Sequence, residues 1–232
     1  MSESSRWMSV ETEDGNMEGY LALPPAGFGP GIVLLQEIFG VNRHIRAIAD
    51  QYASAGFVVL APDIFWRSQR RLDLGYSAAE LEEGLSFWRV ADVGRAVSDV
   101  GAAARALRGM RETTGKLAAV GYCFGGRLAY LASAEGHLDA AVSYYGGGIQ
   151  NQLDVAANIH VPILFHYADH DEQIPMTSVD EVKKSFGGRD LARFFIYPET
   201  HHGFNCWERE TFQQKASALA LGRTLVFLAA EV

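Results

Sequence analysis

Short, almost wholly apolar runs recur along this 232-residue chain, and most of them lead into a stretch with helical spacing. Gly31-Ile32-Val33-Leu34-Leu35, Phe57-Val58-Val59-Leu60-Ala61 and Ala140-Ala141-Val142-Ser143-Tyr144 offer almost no polar face to solvent. A strand of that kind must be covered on both sides, the condition of a strand inside a parallel sheet. Further strands fit residues 116–120, 163–167 and 193–197. Helical spacing over residues 43–55, 77–88, 92–107, 124–133, 177–186 and 213–230 supplies the covering layers, and Gly56 stops the first of them. Only residues 17–23, after the turn Asp14-Gly15-Asn16, read as half of an antiparallel pair. The alternation predicts an α/β class fold, a doubly wound, mostly parallel sheet with helices on both faces. Residues 63–75 are polar and basic and are expected to be irregular. No repeat or linker interrupts the pattern, so residues 1–232 read as one domain.

Composition narrows the partners. Hydrophobic residues make up 48% of the chain and charged residues 21%, enough apolar material for a large core. The net charge of −8 argues against nucleic acid or an anionic membrane as the main partner. No apolar run approaches the roughly 18 residues of a membrane span. The first residues hold no apolar signal core, so a cytoplasmic protein is expected. The two cysteines, Cys123 and Cys206, then read as reduced thiols rather than a disulfide framework.

One of those thiols sits at an unusual place. Gly121-Tyr122-Cys123-Phe124-Gly125-Gly126 follows the strand at residues 116–120 and opens the next helix. A nucleophile held at the apex of so tight a turn needs glycine where neighbouring backbone crowds in, two residues before it and two after. This is the G-x-nucleophile-x-G elbow of α/β-hydrolases with sulfur in place of the commoner hydroxyl. The helix that follows aims its first amides at the sulfur, a field that stabilises negative charge there. A buried structural cysteine in a βα turn is the plainer reading of the hexapeptide alone.

The rest of the chain decides between them. A thiol nucleophile needs a base and the base needs an orienting acid, which in this fold follow in the order nucleophile, acid, histidine, each after a strand. After the strand ending at Tyr167 come Asp169-His170-Asp171-Glu172, and after the strand ending at Tyr197 come His201-His202-Gly203-Phe204. Asp171 is preferred to Asp169 because Pro175 four residues on places it at the loop apex, and Asp169 then caps a turn. His202 is preferred to His201 because Gly203-Phe204 suits a close approach. The same histidines and carboxylates invite a metal reading, but no pair has helix-face ligand spacing and the elbow would go unexplained. Neither metal nor other cofactor is expected.

Taken together, Gln36-Glu37-Ile38-Phe39-Gly40-Val41-Asn42, Ala61-Pro62-Asp63, the elbow hexapeptide, Tyr144-Tyr145-Gly146, Asp171 with Pro175, and His202-Gly203-Phe204 resemble the dienelactone hydrolase family, the carboxymethylenebutenolidases. The resemblance runs from about residue 19 to the C-terminal helix. It implies an α/β-hydrolase fold, a small-molecule ester or lactone substrate, and a triad of Cys123, His202 and Asp171. It implies an oxyanion hole made by the backbone amides of Ile38 and Phe124. It also gives Glu37, which could otherwise simply cap the helix near Asn42, contact with the resting thiol and a part in its activation. A monomer is expected. A non-catalytic binding or thiol-sensing protein on the same fold is the alternative.

The chain departs from the family at the substrate. Where the family places two arginines that hold the substrate carboxylate, this sequence has Leu81 and Cys206. Charge-assisted anchors of that kind contribute about 1.5–3 kcal/mol each. Arg67, Arg70, Arg71, Arg89 and Arg209 read as solvated surface charges. Phe39, Leu81, Trp88, Tyr145, Phe204 and Cys206 are therefore expected around a neutral, apolar or aromatic ester.

Overall fold

Eight strands form one sheet in the order β1-β2-β4-β3-β5-β6-β7-β8 in the computed structural model, which describes residues 5–232. β1 (Ser5–Thr12) and β2 (Gly15–Ala22) make an antiparallel hairpin, and β2 lies antiparallel to β4 (Val58–Pro62). From there β3 (Gly29–Leu35), β5 (Thr113–Tyr122), β6 (Ala140–Tyr144), β7 (Ile163–Ala168) and β8 (Ala192–Tyr197) run parallel. This is the mostly parallel, doubly wound α/β-hydrolase sheet that the apolar runs require.

The alternation of side chains along β3 shows why. Ile32 and Leu34 enter one core and Val33 and Leu35 the other, all four fully buried. On the first face α1 (Arg43–Ser54) and α6 (Gln214–Glu231) lie over the sheet, bringing Tyr52 and Phe227 to the core. On the second, α3 (Val93–Arg108) and α4 (Phe124–Ala132) bring Val100, Leu107 and Leu128. α2 (Ala78–Val90) and α5 (Met176–Ser185) flank the carboxyl edge. The helix after β3 is capped by Asn42, whose side chain accepts from the Ile45 amide at 3.1 Å, and not by Glu37.

The first core carries a wired polar chain. The Tyr52 and Tyr122 hydroxyls meet at 3.2 Å, the Tyr122 and Tyr144 rings stack, and the Tyr144 hydroxyl meets Thr224 Oγ1 at 2.6 Å. Thr224 Oγ1 also meets His166 Nε2 at 3.0 Å, and His166 Nδ1 meets the Tyr197 hydroxyl at 2.8 Å. Burial, with the charge of Arg223 adding to it, takes the His166 pKa down to about 3, so the ring is neutral at physiological pH. Each hydroxyl of this chain has a partner, and through Thr224 and His166 α6 is tied to three strands.

Two 3₁₀ turns, Ile149–Asn151 and Leu153–Asn158, follow β6 without an apolar period to announce them. Residues 63–75 are irregular, as their polarity suggested, and are pinned by the Arg71 amide donating to Asp63 Oδ2 at 2.6 Å.

Glycine is needed where β5 meets α4. A Cβ on Gly121 would fall 2.0 Å from the Gly125 carbonyl oxygen, and one on Gly125 would fall 2.3 Å from the Leu35 carbonyl oxygen. By contrast, a Cβ on Gly222 in α6 meets nothing within 4 Å. Gly125→Ala should therefore lose at least about 2–3 kcal/mol in a urea unfolding curve. Gly222→Ala should gain about 0.5–1 kcal/mol from helix propensity. Equal effects of the two would mean that contact at the elbow is not what limits position 125.

Candidate active site

Cys123 occupies the turn between β5 and α4 with φ 54° and ψ −114°, a left-handed backbone that a non-glycine residue adopts at a cost of about 1–3 kcal/mol. Three bonds hold it there. Its own amide donates to the Tyr144 carbonyl at 3.0 Å, the Gly125 amide to Gln36 at 3.0 Å, and the Arg127 amide to the Cys123 carbonyl at 3.2 Å. The thiol is half-buried at the N-terminus of α4.

Asp171 lies in the loop after β7 and His202 in the loop after β8. His202 Nδ1 and Asp171 Oδ2 are 2.8 Å apart, and the two side chains are 4% and 1% exposed. The other carboxylate oxygen of Asp171 accepts from the amides of Gln173 at 2.9 Å and Ile174 at 3.1 Å, which fixes the acid. The Tyr145 ring stands edge-on to the imidazole at 5.1 Å between centroids. Nε2 of His202 is buried and has no hydrogen-bond partner of ordinary geometry among the described residues, yet the Cys123 sulfur lies near enough for its charge to act on the ring. Burial opposes the imidazolium. The charge of Cys123 and the hydrogen bond and charge of Asp171 outweigh burial, and the His202 pKa is raised.

The neighbouring pair behaves differently. His201 is exposed and meets Glu172 at 2.8 Å on the surface, while Asp169 accepts from the Thr200 amide at 3.2 Å and so ties the two loops together. Among the described residues, no three His, Cys, Asp or Glu side chains are arranged to hold a metal ion.

Around the thiol opens a cavity of about 660 Å³. Its lining is partly apolar, with Ile38, Phe39, Leu81, Leu85, Trp88 and Phe124, and partly polar, with Arg127, Gln150, Asn151, Gln173 and Arg209. Cys123 and His202 lie on its surface. The Phe124 amide, first in its helix, has no intrahelical acceptor, and among the described residues the Ile38 amide donates to no carbonyl. α2 reaches the cavity through Gly84, where a Cβ would fall 2.8 Å from the Ile38 carbonyl oxygen. That contact sets Leu81 and Trp88 at the rim, 40% and 42% exposed.

Several sequence expectations need correction. Tyr145, Phe204 and Cys206 do not line the cavity. Tyr145 and Phe204 are fully buried and pack behind His202, edge-on to each other at 5.4 Å. Cys206 is likewise fully buried, and burial pushes its thiol up to about 12, which leaves it inert and protonated. Arg209 is not a solvated charge but a cavity residue, 3.2 Å from Glu37 Oε1. Glu37 is itself buried, its other oxygen accepting from the Tyr76 hydroxyl at 3.2 Å, and among the described residues it makes no hydrogen bond to Cys123. Neither Tyr76 nor Arg127 was singled out from the sequence. The signal for Arg127 was its place four residues after Cys123, on the same helix face.

Comparison with known proteins agrees with the geometry. The dienelactone hydrolase family model matches residues 17–232. A carboxymethylenebutenolidase of Pseudomonas putida is 34% identical over 224 residues, covering 96% of this chain and 95% of that protein. Carboxymethylenebutenolidase 1 of Cupriavidus pinatubonensis is 31% identical over 216 residues, 93% of this chain and 92% of its own length. A crystal structure of a putative dienelactone hydrolase from Klebsiella pneumoniae superposes with a TM-score of 0.84 at 26% identity, covering 97% and 98% of the two chains. With the elbow, the sheet order and these relatives in agreement, the chain belongs to the dienelactone hydrolase family and is a hydrolase of ester or lactone bonds.

Proposed function

We propose that this protein is a single-domain enzyme that cleaves carboxylic esters or lactones with a Cys123–His202–Asp171 triad, through a thioester acyl-enzyme. The observation that carries this reading is the buried Asp171–His202 pair, whose Nε2 has no hydrogen-bond partner of ordinary geometry among the described residues and shares a cavity with the strained Cys123.

His202 takes the Cys123 proton, and the thiolate attacks the carbonyl carbon while the Ile38 and Phe124 amides hold the oxyanion. Collapse of the tetrahedral intermediate breaks the carbon–oxygen bond, and the imidazolium returns its proton to the leaving alkoxide. Water, deprotonated by the same nitrogen, then attacks the thioester and releases the acid and the thiol. Every proton has a carrier among these side chains, so the steps call for no cofactor. Arg209 and Tyr76 draw Glu37 away from the sulfur, which favours pairing of the thiol with His202. The wall of Phe39, Leu81, Leu85 and Trp88 suits an apolar or aromatic portion of the substrate. Two free cysteines suit a reducing compartment such as the cytoplasm.

With p-nitrophenyl acetate, wild type should release a burst of nitrophenolate and then turn over, and Cys123→Ala should lose both by about a thousandfold or more. Equal turnover by the two proteins would remove the thiol from the reaction and leave a binding or thiol-sensing role.

The raised His202 pKa gives the pH dependence a sign. The alkaline limb of kcat/KM, which reports loss of the imidazolium proton, should lie above the ordinary histidine range near 6.5. Asp171→Asn removes the hydrogen bond and charge that favour the imidazolium, so that limb should move to lower pH, with kcat reduced on the order of 10³–10⁴-fold. An unmoved limb would show that another group titrates there.

A further inference from the structure

α2 borders the cavity around Cys123 without being fastened to the body of the protein. Among the described residues, Gly84 is the one buried position of α2, and no hydrogen bond or ion pair joins the helix to the sheet or to another helix. Its polar contacts turn inward. Arg89 pairs with Glu82 at 2.8 Å inside the helix, and Glu80 accepts from the amides of Gly75 at 2.8 Å and Ser77 at 3.0 Å just before it. The chain on either side is fixed. The Leu74 amide donates to the Phe39 carbonyl at 3.0 Å and Asn42 Nδ2 to the Leu74 carbonyl at 2.8 Å, while Asp92 accepts from the Arg95 amide at 3.1 Å and so caps α3. A helix tied at both ends and loose between them can shift as a unit.

Two contacts lead from this helix to the residues that supply the oxyanion amides. Gly84 lies against the Ile38 carbonyl, where a Cβ would fall 2.8 Å from the oxygen. Phe87 packs on Phe65 at 6.1 Å between ring centroids, and Phe65 stacks on Phe124 at 5.9 Å with the rings 2° from parallel. Displacing the Ile38 carbonyl moves the same residue whose amide must point at the developing oxyanion. The tolerance is narrow, because such donors act at about 2.7–3.1 Å. Leu81, Leu85 and Trp88, spaced i, i+4 and i+7, share the face of α2 that lines the cavity. An apolar group bound there touches α2 itself, and its burial draws the helix onto the body.

We propose that Gly84 is a positioning residue of the reaction: an apolar group of the substrate beside Leu81, Leu85 and Trp88 seats α2, and Gly84 then sets Ile38 so that its amide meets the oxyanion. The apolar portion of the ester thereby contributes to the chemical step and not only to binding. Glycine is required because any Cβ would hold α2 and the Ile38 carbonyl apart. The inference rests on the ester-hydrolase reading, in which the Ile38 and Phe124 amides hold the oxyanion.

The test pairs 4-nitrophenyl phenylacetate with its thiono counterpart, in which sulfur replaces the carbonyl oxygen. Sulfur accepts poorly from amides, so the ratio of oxo to thiono rates reads the state of the oxyanion hole. Gly84→Ala should lower kcat for the oxo ester by about tenfold or more, change KM much less, and bring the ratio down severalfold. Its thermal midpoint should not fall, because alanine favours the helix. Hydrogen exchange needs no chemical step. In Cys123→Ala, saturating phenyl acetate should slow exchange of the α2 amides and of the Ile38 amide, and methyl acetate, which has no aromatic group, should not. Slowed exchange with phenyl acetate in a protein whose wild type turns over neither ester would uphold the seating of α2 and reject the triad. Equal slowing of the oxo and thiono esters by Gly84→Ala would mark a packing defect and overturn the proposal. So would a kcat within twofold of wild type, or equal exchange with and without phenyl acetate.

Discussion

Backbone crowding at the junction of β5 and α4 governs the carboxyl edge of the sheet. Gly121, Gly125 and Gly126 let three stretches of main chain approach to distances that a single methyl group on any of them would forbid. That closeness seats the first turn of α4 directly on the ends of β3 and β6, and it leaves Cys123 with no ordinary backbone region to occupy. The strain is small beside the burial of the flanking strands, and the bonds to Tyr144 and Gln36 hold it in place. From this one junction follow the exposure of the sulfur, the direction of the Phe124 amide and the place of Arg127 one turn later.

Electrostatic pairing then divides the cavity. Glu37 is buried at the end of β3, where an unpaired carboxylate would be costly, and Arg209 and Tyr76 satisfy it from outside the elbow. That leaves Arg209 paired within the cavity lining, while Arg127 has no carboxylate partner among the described residues.

Much of this was legible in the sequence, for reasons that differ by element. The parallel strands were readable because burial on both faces erases polar residues from runs such as 31–35, and α1 because Asn42 and Gly56 bracket it. The elbow was readable because its crowding admits only glycine at fixed offsets from Cys123. The pairing of Asp171 with His202 followed from order along the chain, since each loop after a strand opens on the same edge of the sheet. What escaped was lateral. Tyr145, Phe204 and Cys206 neighbour site residues in sequence but turn into the core, and the sense of a side chain in a loop has no period to reveal it. Arg209 resembles any exposed arginine until its buried partner, 172 residues earlier, is brought beside it. The 3₁₀ turns that carry Gly148 and Gln152 likewise gave no hydrophobic rhythm.

Three contacts at neighbouring positions clasp the loops after β7 and β8: Asp169 with Thr200, Asp171 with His202, and Glu172 with His201. None of them passes through α4 or the elbow. The Asp171–His202 pair is thus assembled on its own support, independent of which atom stands at the apex of the turn. A lineage with this architecture can exchange sulfur for oxygen at one position and keep the Asp171–His202 pair intact. Such an exchange requires only that the new residue tolerate the same left-handed backbone.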